Sequence, residues 1–254
     1  MRRSPGPRRL CALFLLLSAV LTGCSPGDEA SETVTVFAAA SLTETFTRLG
    51  GEFEDGNPGV EVRFNFGSSA TLAQQLVQGA PADVFASASQ ATMRTATDAS
   101  LAAGKPAVFA RNRLEIAVPA NGSSKVSGLA DLADPDVKVA LCAEQVPCGA
   151  AAAEALAAAG LDVTPVTLEQ DVKATLTKLT LGEVDAALVY RTDIRAAGGR
   201  VRGIAFPEAG QAVNDYPIVA LEKAPSPGAA SEFVAFVLSQ RARDVFTEAG
   251  FEAP

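Results

Sequence analysis

Short β-branched runs alternate with amphipathic helical stretches along nearly the whole chain, and few folds accept that order. Residues 34–37, 60–66, 83–87, 114–118, 137–141 and 186–190 read as buried strands. Helical patterns occupy 42–53, 71–78, 90–102, 150–159 and 172–181. Gly79, Gly160 and Gly182 stand just past three of them, where a residue tolerant of left-handed backbone ends a helix. Strands spaced by helices of this length predict parallel sheets covered by helices on both faces. Residues 33–254 are long for one domain and comfortable for two lobes. The polar stretch Arg111 to Arg113 is the expected crossover to a second lobe, with a return near 212–220. That divides the chain into lobe 1 (33–112 and 213–254) and lobe 2 (113–212).

The first two dozen residues have a different logic. Arg2, Arg3, Arg8 and Arg9 form a positive n-region ahead of an apolar run at 10–21. A bilayer span needs roughly 20 apolar residues, so the run is too short to cross one. No twin-arginine consensus follows the Arg2-Arg3 pair. Leu21-Thr22-Gly23-Cys24 resembles the lipobox of bacterial lipoproteins. The resemblance implies a signal peptide at 1–23, cleavage before Cys24 and lipidation of its sulfur. The expected location is extracytoplasmic, anchored to the cell membrane. Residues 24–32 are small, polar and acidic and read as a tether.

Cleavage would remove four of 21 basic residues, leaving 17 against 29 acidic ones and a net charge of −12. So acidic a surface argues against a nucleic-acid partner. An anionic ligand would need local donors. Once Cys11 leaves and Cys24 is acylated, Cys142 and Cys148 remain, six apart in an oxidising compartment, and a disulfide between them is expected. The chain has no histidine, which removes the usual zinc sites and the commonest general base.

Candidate site residues lie where strands hand over to helices. Ser41 and Glu44 fit the two ends of a capping box. Ser68 and Ser69 follow Gly67 at a tight turn into a helix, Cys148 precedes the alanine-rich helix, and Asp171-Val172 opens another. Any one of these serines alone reads as a cap. Four helix N-termini at the carboxyl ends of strands instead describe an anion-binding crevice.

Six segments then resemble one family in the same order: VTVFAAASLT at 34–43, FGSSATL at 66–72, QGAPADVFASA at 78–88, VPCG at 146–149, DVK at 171–173 and VDAALVY at 184–190. They are similar to the substrate-binding proteins of bacterial molybdate ABC importers, over nearly all of 33–251. The resemblance implies two three-layer α/β lobes joined by a hinge, the type II periplasmic-binding-protein fold. It also implies a monomer that closes around molybdate or tungstate and presents it to ABC permease subunits. Carried over by motif, Ser41 and Ser69 would supply hydroxyl and backbone N–H donors. Cys148 and Val172 would supply backbone N–H groups, and Tyr190 its phenol. Cys148 departs from the alanine common in relatives, but a main-chain contact survives that change. No cofactor is implied, and molybdenum enters as the oxyanion rather than as a coordinated cation.

The chemistry of these residues agrees with such a ligand. Molybdate, tungstate and sulfate carry no proton at neutral pH, so donors alone satisfy them. Hydrogen phosphate keeps a proton and wants an acceptor, and none of the five residues offers a carboxylate. Asp171 would offer one if it turned inward, but at a helix start it is expected to cap. Sulfate is the alternative ligand, differing only in size and rigidity. A carboxylate ligand would usually meet an arginine fork, for which Arg111, Arg113 and Arg191 are the nearest candidates in sequence. An enzyme is not expected: the Ser68-Ser69 turn lacks the second glycine of a nucleophile elbow, and no histidine can activate a serine.

Overall fold

The chain passes between two five-stranded sheets, each wrapped by helices. The computed structural model describes residues 32–121 and 124–254. The segment expected to be a signal peptide, Cys24 and the expected tether up to residue 31 lie outside the described residues. Glu32, read as the end of the tether, instead opens the first strand, pairing with Val60.

In chain order the first sheet receives β1 (Glu32–Ala39), β2 (Val60–Gly67), β3 (Val84–Ala86) and β4 (Ala107–Asn112). The helices α1 (Thr43–Gly56), α2 (Ser69–Val77) and α3 (Gln90–Asp98) run between them. The second sheet holds β5 (Leu114–Pro119), β6 (Val139–Cys142), β7 (Thr167–Glu169), β8 (Ala186–Tyr190) and β9 (Val201–Ile204). Its helices are α4 (Pro147–Ala158), α5 (Val172–Thr180) and α6 (Arg191–Ala196). The chain then returns to the first sheet as β10 (Asn214–Ala220), followed by α7 (Pro227–Val237) and α8 (Gln240–Ala249). Strand order is β2-β1-β3-β10-β4 in one sheet and β7-β6-β8-β5-β9 in the other.

The expectation of purely parallel sheets is corrected. β10 runs antiparallel to β3 and β4, and β5 runs antiparallel to β8 and β9. The reason is connectivity. Parallel neighbours arise when a helical crossover returns the chain to the same sheet edge. β5 and β10 are the first strands after a change of sheet, so no such crossover orients them. Arg113 alone separates β4 from β5.

Both faces of each sheet are covered, which is why the strands read as continuous apolar runs. Along β1, Val34, Val36 and Ala38 join one buried cluster while Phe37 joins another. β3 divides likewise, Val84 and Ala86 against Phe85. The first cluster is aromatic, built around Phe46 against Phe109, Phe233 and Phe246. The core of the second sheet is aliphatic, with Ile116, Val139, Leu188 and Ala155 inaccessible to solvent or nearly so. Strands β7 and β9 are short sheet edges and lack the buried apolar run that marks the central strands in sequence. Among the described residues no helix is long and apolar enough to cross a membrane.

Candidate functional site

Every sequence-selected binding residue reaches one cavity between the sheets. Ser41 lies in a 3-10 turn, Ala40–Leu42, that leaves β1. Ser69 is the first residue of α2, Cys148 the second of α4, and Val172 the first of α5. Tyr190 ends β8 at the start of α6. All five line a cavity with an empty volume of about 230 Å³, its mouth included. All five are also buried. The first N–H groups of a helix have no partner in its own ladder, and the macrodipole adds partial positive charge there. A cavity met by several such ends is suited to an anion.

Hydrogen bonding distinguishes these hydroxyls from caps. The capping box expected at Ser41 and Glu44 does not form. The 3-10 turn places Ser41 inside a turn, Leu42 becomes the N-cap of α1, and no side chain caps that helix. Ser41 Oγ instead lies 2.8 Å from Tyr216 Oη. Glu44 reaches across to Lys173, whose Nζ donates to both carboxylate oxygens at 2.8 Å. Ser69 Oγ accepts the Ala88 N–H at 2.9 Å. Ser68, at the N-cap of α2, makes no capping bond, and its buried Oγ has no partner among the described residues. Ser68 also lines the cavity. The sequence brought Ser68 forward in the same turn but did not choose it. Tyr190 Oη is likewise buried without a partner.

Cys148 Sγ is bonded to Cys142 Sγ. The sulfur therefore points back toward β6 and leaves the main chain of α4 at the cavity. Gly149 makes that approach possible, because a Cβ there would lie 1.9 Å from the Ala143 carbonyl oxygen. Pro147 opens the same helix at a position where a missing N–H costs nothing.

Asp171 is the acidic side chain in the lining, and its Oδ1 accepts the Ala174 N–H at 2.9 Å as the cap of α5. The three arginines considered for a carboxylate fork are engaged elsewhere. Arg111 donates to Asp215, Arg113 pairs with Glu252, and Arg191 holds the Gly250 carbonyl. None of the three lines the cavity. The lining thus offers hydroxyl and amide donors without a fixed cationic side chain.

Titration is shifted behind the cavity. Burial raises the Tyr190 and Tyr216 phenols above the ordinary tyrosine value, which keeps both protonated as donors. Asp193 Oδ2 accepts the Tyr190 N–H at 3.2 Å, and Oδ1 lies 3.1 Å from Lys173 Nζ. Burial still pushes the Asp193 carboxyl up to about 6, against the pull of Lys173. Burial pulls the Lys173 ammonium down, but Asp193 and Glu44 outweigh it and hold it above the ordinary lysine value.

A family model described as bacterial extracellular solute-binding protein matches residues 34–252. The molybdate-binding protein ModA of Mycobacterium bovis (strain ATCC BAA-935 / AF2122/97) is 40% identical over 248 residues, covering 94% of this chain and 95% of its own. The solved periplasmic molybdate-binding protein of Azotobacter vinelandii superposes with a TM-score of 0.76 at 22% identity, covering 87% of this chain and 99% of that one. The sulfate-binding protein SubI of Mycobacterium tuberculosis H37Rv superposes with a TM-score of 0.77 at 18% identity, covering 87% of each chain. At these identities the structural likeness carries the fold alone, two α/β lobes with flanking helices.

Proposed function

The chain belongs to the bacterial extracellular solute-binding proteins of transporters, which are not enzymes, and from that premise we propose that it captures molybdate for an ABC permease. Tungstate, nearly the same size, is proposed as an equivalent ligand. The observation that carries this reading is the convergence of Ser41, Ser69, Cys148, Val172 and Tyr190 on one buried cavity. In it, Ser41 and Ser69 give hydroxyl and backbone donors, Cys148 and Val172 give N–H groups, and Tyr190 gives its phenol. Burial excludes water, so each charge-assisted bond is worth roughly 1.5–3 kcal/mol. With Asp171 turned to its own helix, no carboxylate in this set is left to accept a proton from the ligand. A fully deprotonated tetrahedral oxyanion matches such a set, and hydrogen phosphate does not.

Sulfate remains the second reading, because it too is a proton-free tetrahedral oxyanion that donors alone satisfy. The two are separated by melting the mature protein against molybdate, tungstate, sulfate and phosphate. A rise in Tm with the first two alone supports the proposal, and a rise with sulfate alone replaces it. The capture unit is proposed to be a monomer whose lobes, 33–112 with 213–254 and 113–212, close at the two connections between the sheets. Lipidation at Cys24 would hold it beside the permease in the membrane. Mass spectrometry of the mature N-terminus tests the anchor, and Cys24→Ser should release the protein from the membrane fraction.

A further inference from the structure

We propose that Tyr216 is a positioning residue that makes the Ser41 hydroxyl an obligate donor to the bound anion. The inference deepens the oxyanion reading of the same site and rests on it. A serine hydroxyl both donates and accepts, so by itself Ser41 could turn its lone pairs toward the cavity and repel the ligand. The surroundings remove that choice.

The order of donors begins at Asn112, two hydrogen bonds from Ser41. Asn112 Oδ1 accepts the Arg113 N–H at 3.0 Å, which fixes which end of the amide faces inward. Asn112 Nδ2 therefore faces Thr192 Oγ1 at 2.9 Å and Tyr216 Oη at 3.5 Å. An amide NH₂ only donates, so Tyr216 cannot place its own proton there. Of the hydroxyls around Tyr216 Oη, Ser41 Oγ bonds it at 2.8 Å, whereas the neighbouring Tyr190 Oη is not aligned to make a hydrogen bond. The Tyr216 proton goes to Ser41, and the Ser41 proton cannot return along the same bond. The cavity is the direction left to it. Asn112 and Tyr216 are inaccessible to solvent and Ser41 nearly so, so bulk water does not compete with this order.

Tyr216 does not line the cavity, and its ring is held by Phe109, Phe251 and Tyr190 through edge or T-shaped contacts. Its hydroxyl can thus be removed while the packing stays. Ser69 has the parallel arrangement with a backbone donor, since its Oγ accepts the Ala88 N–H. At Ser41 the same task falls to a side chain, which mutation can reach.

The test is a double-mutant cycle by titration calorimetry on the mature protein, with melting to verify the fold of each variant. Wild type is titrated with molybdate and with sulfate, and the cycle uses whichever binds more tightly. Tyr216→Phe should weaken binding about tenfold. Ser41→Ala should weaken it by a similar or larger factor. In the Ser41→Ala background, Tyr216→Phe should change affinity less than twofold, because its route to the anion is gone. Losses that multiply would overturn the proposal, since they mean a merely structural role for Tyr216. An unchanged affinity for Tyr216→Phe would overturn it too. Should that variant fail to fold, Asn112→Ser in both backgrounds runs the same cycle one bond further back, with the same two outcomes. Binding of sulfate but not molybdate would count against the ligand reading and leave the cycle intact; binding of neither removes both.

Discussion

Ser69 illustrates how one hydroxyl can look like a helix cap in sequence and serve the cavity in the fold. Its Oγ accepts the buried Ala88 N–H from the β3 side of the cleft, so its proton is free for a ligand. Ser69→Ala should lower molybdate affinity by about ten- to a hundredfold in calorimetry. Melting should fall as well, because Ala88 N–H loses its acceptor at a cost of about 1–3 kcal/mol. A small loss for Ser69→Ala beside a large one for Ser68→Ala would move the ligand contact to the unpartnered Ser68 hydroxyl. At this scale the sequence brought Ser69 forward through its turn and Tyr190 only through the family motif, and both line the cavity. It was silent on Tyr216, which sits in a strand far along the chain and acts only through Ser41.

At the scale of elements, the start of α4 separates cross-link from ligand contact. Cys148→Ala should lose the bridge to Cys142 and about 2–3 kcal/mol of stability, yet keep most of its affinity, because the proposed contact is a backbone N–H. Gly149→Ala should do the reverse in emphasis. Its Cβ would collide with the Ala143 carbonyl, so the helix start must shift and carry the Cys148 N–H with it. Calorimetry on the two variants should show the larger affinity loss for Gly149→Ala. The start of α6 carries a pH signal instead. Asp193 rises from 3.8 to about 6 through burial. A carboxyl that holds its proton more tightly when folded favours folding at low pH. Its contribution, about 3 kcal/mol at full shift, is present below pH 4 and lost as pH rises through about 6. Melting curves of Asp193→Asn should lack that decline between pH 4 and 6. Affinity should stay flat from about pH 7 to pH 9, because the proposed donors are hydroxyls and amides and both buried phenols stay protonated. A step in affinity near neutrality would implicate an acid in the site.

At the scale of the whole molecule, Glu44 on α1 and Lys173 on α5 join elements packed on different sheets. With Glu44 half exposed, the pair is worth only a few tenths of a kcal/mol to about 1 kcal/mol. Glu44→Gln should therefore weaken ligand binding about two- to threefold by favouring the open form, and added salt should shrink the difference. An unchanged dissociation rate in stopped-flow measurements would mean the pair does not hold the lobes together. The sequence by itself determined the layered α/β character, since burial on both sheet faces writes continuous apolar strands and helical periodicity into the chain. It also determined that the donors would lie where strands enter helices, because local rules place free N–H groups there. The orientation of β5 and β10 was decided only in three dimensions: changing sheets frees a strand from the crossover rule, and no local pattern records it. Tertiary structure likewise took Ser41 out of the capping box that its local sequence suggests, since its partner Tyr216 is 175 residues away and local propensity does not reach that far.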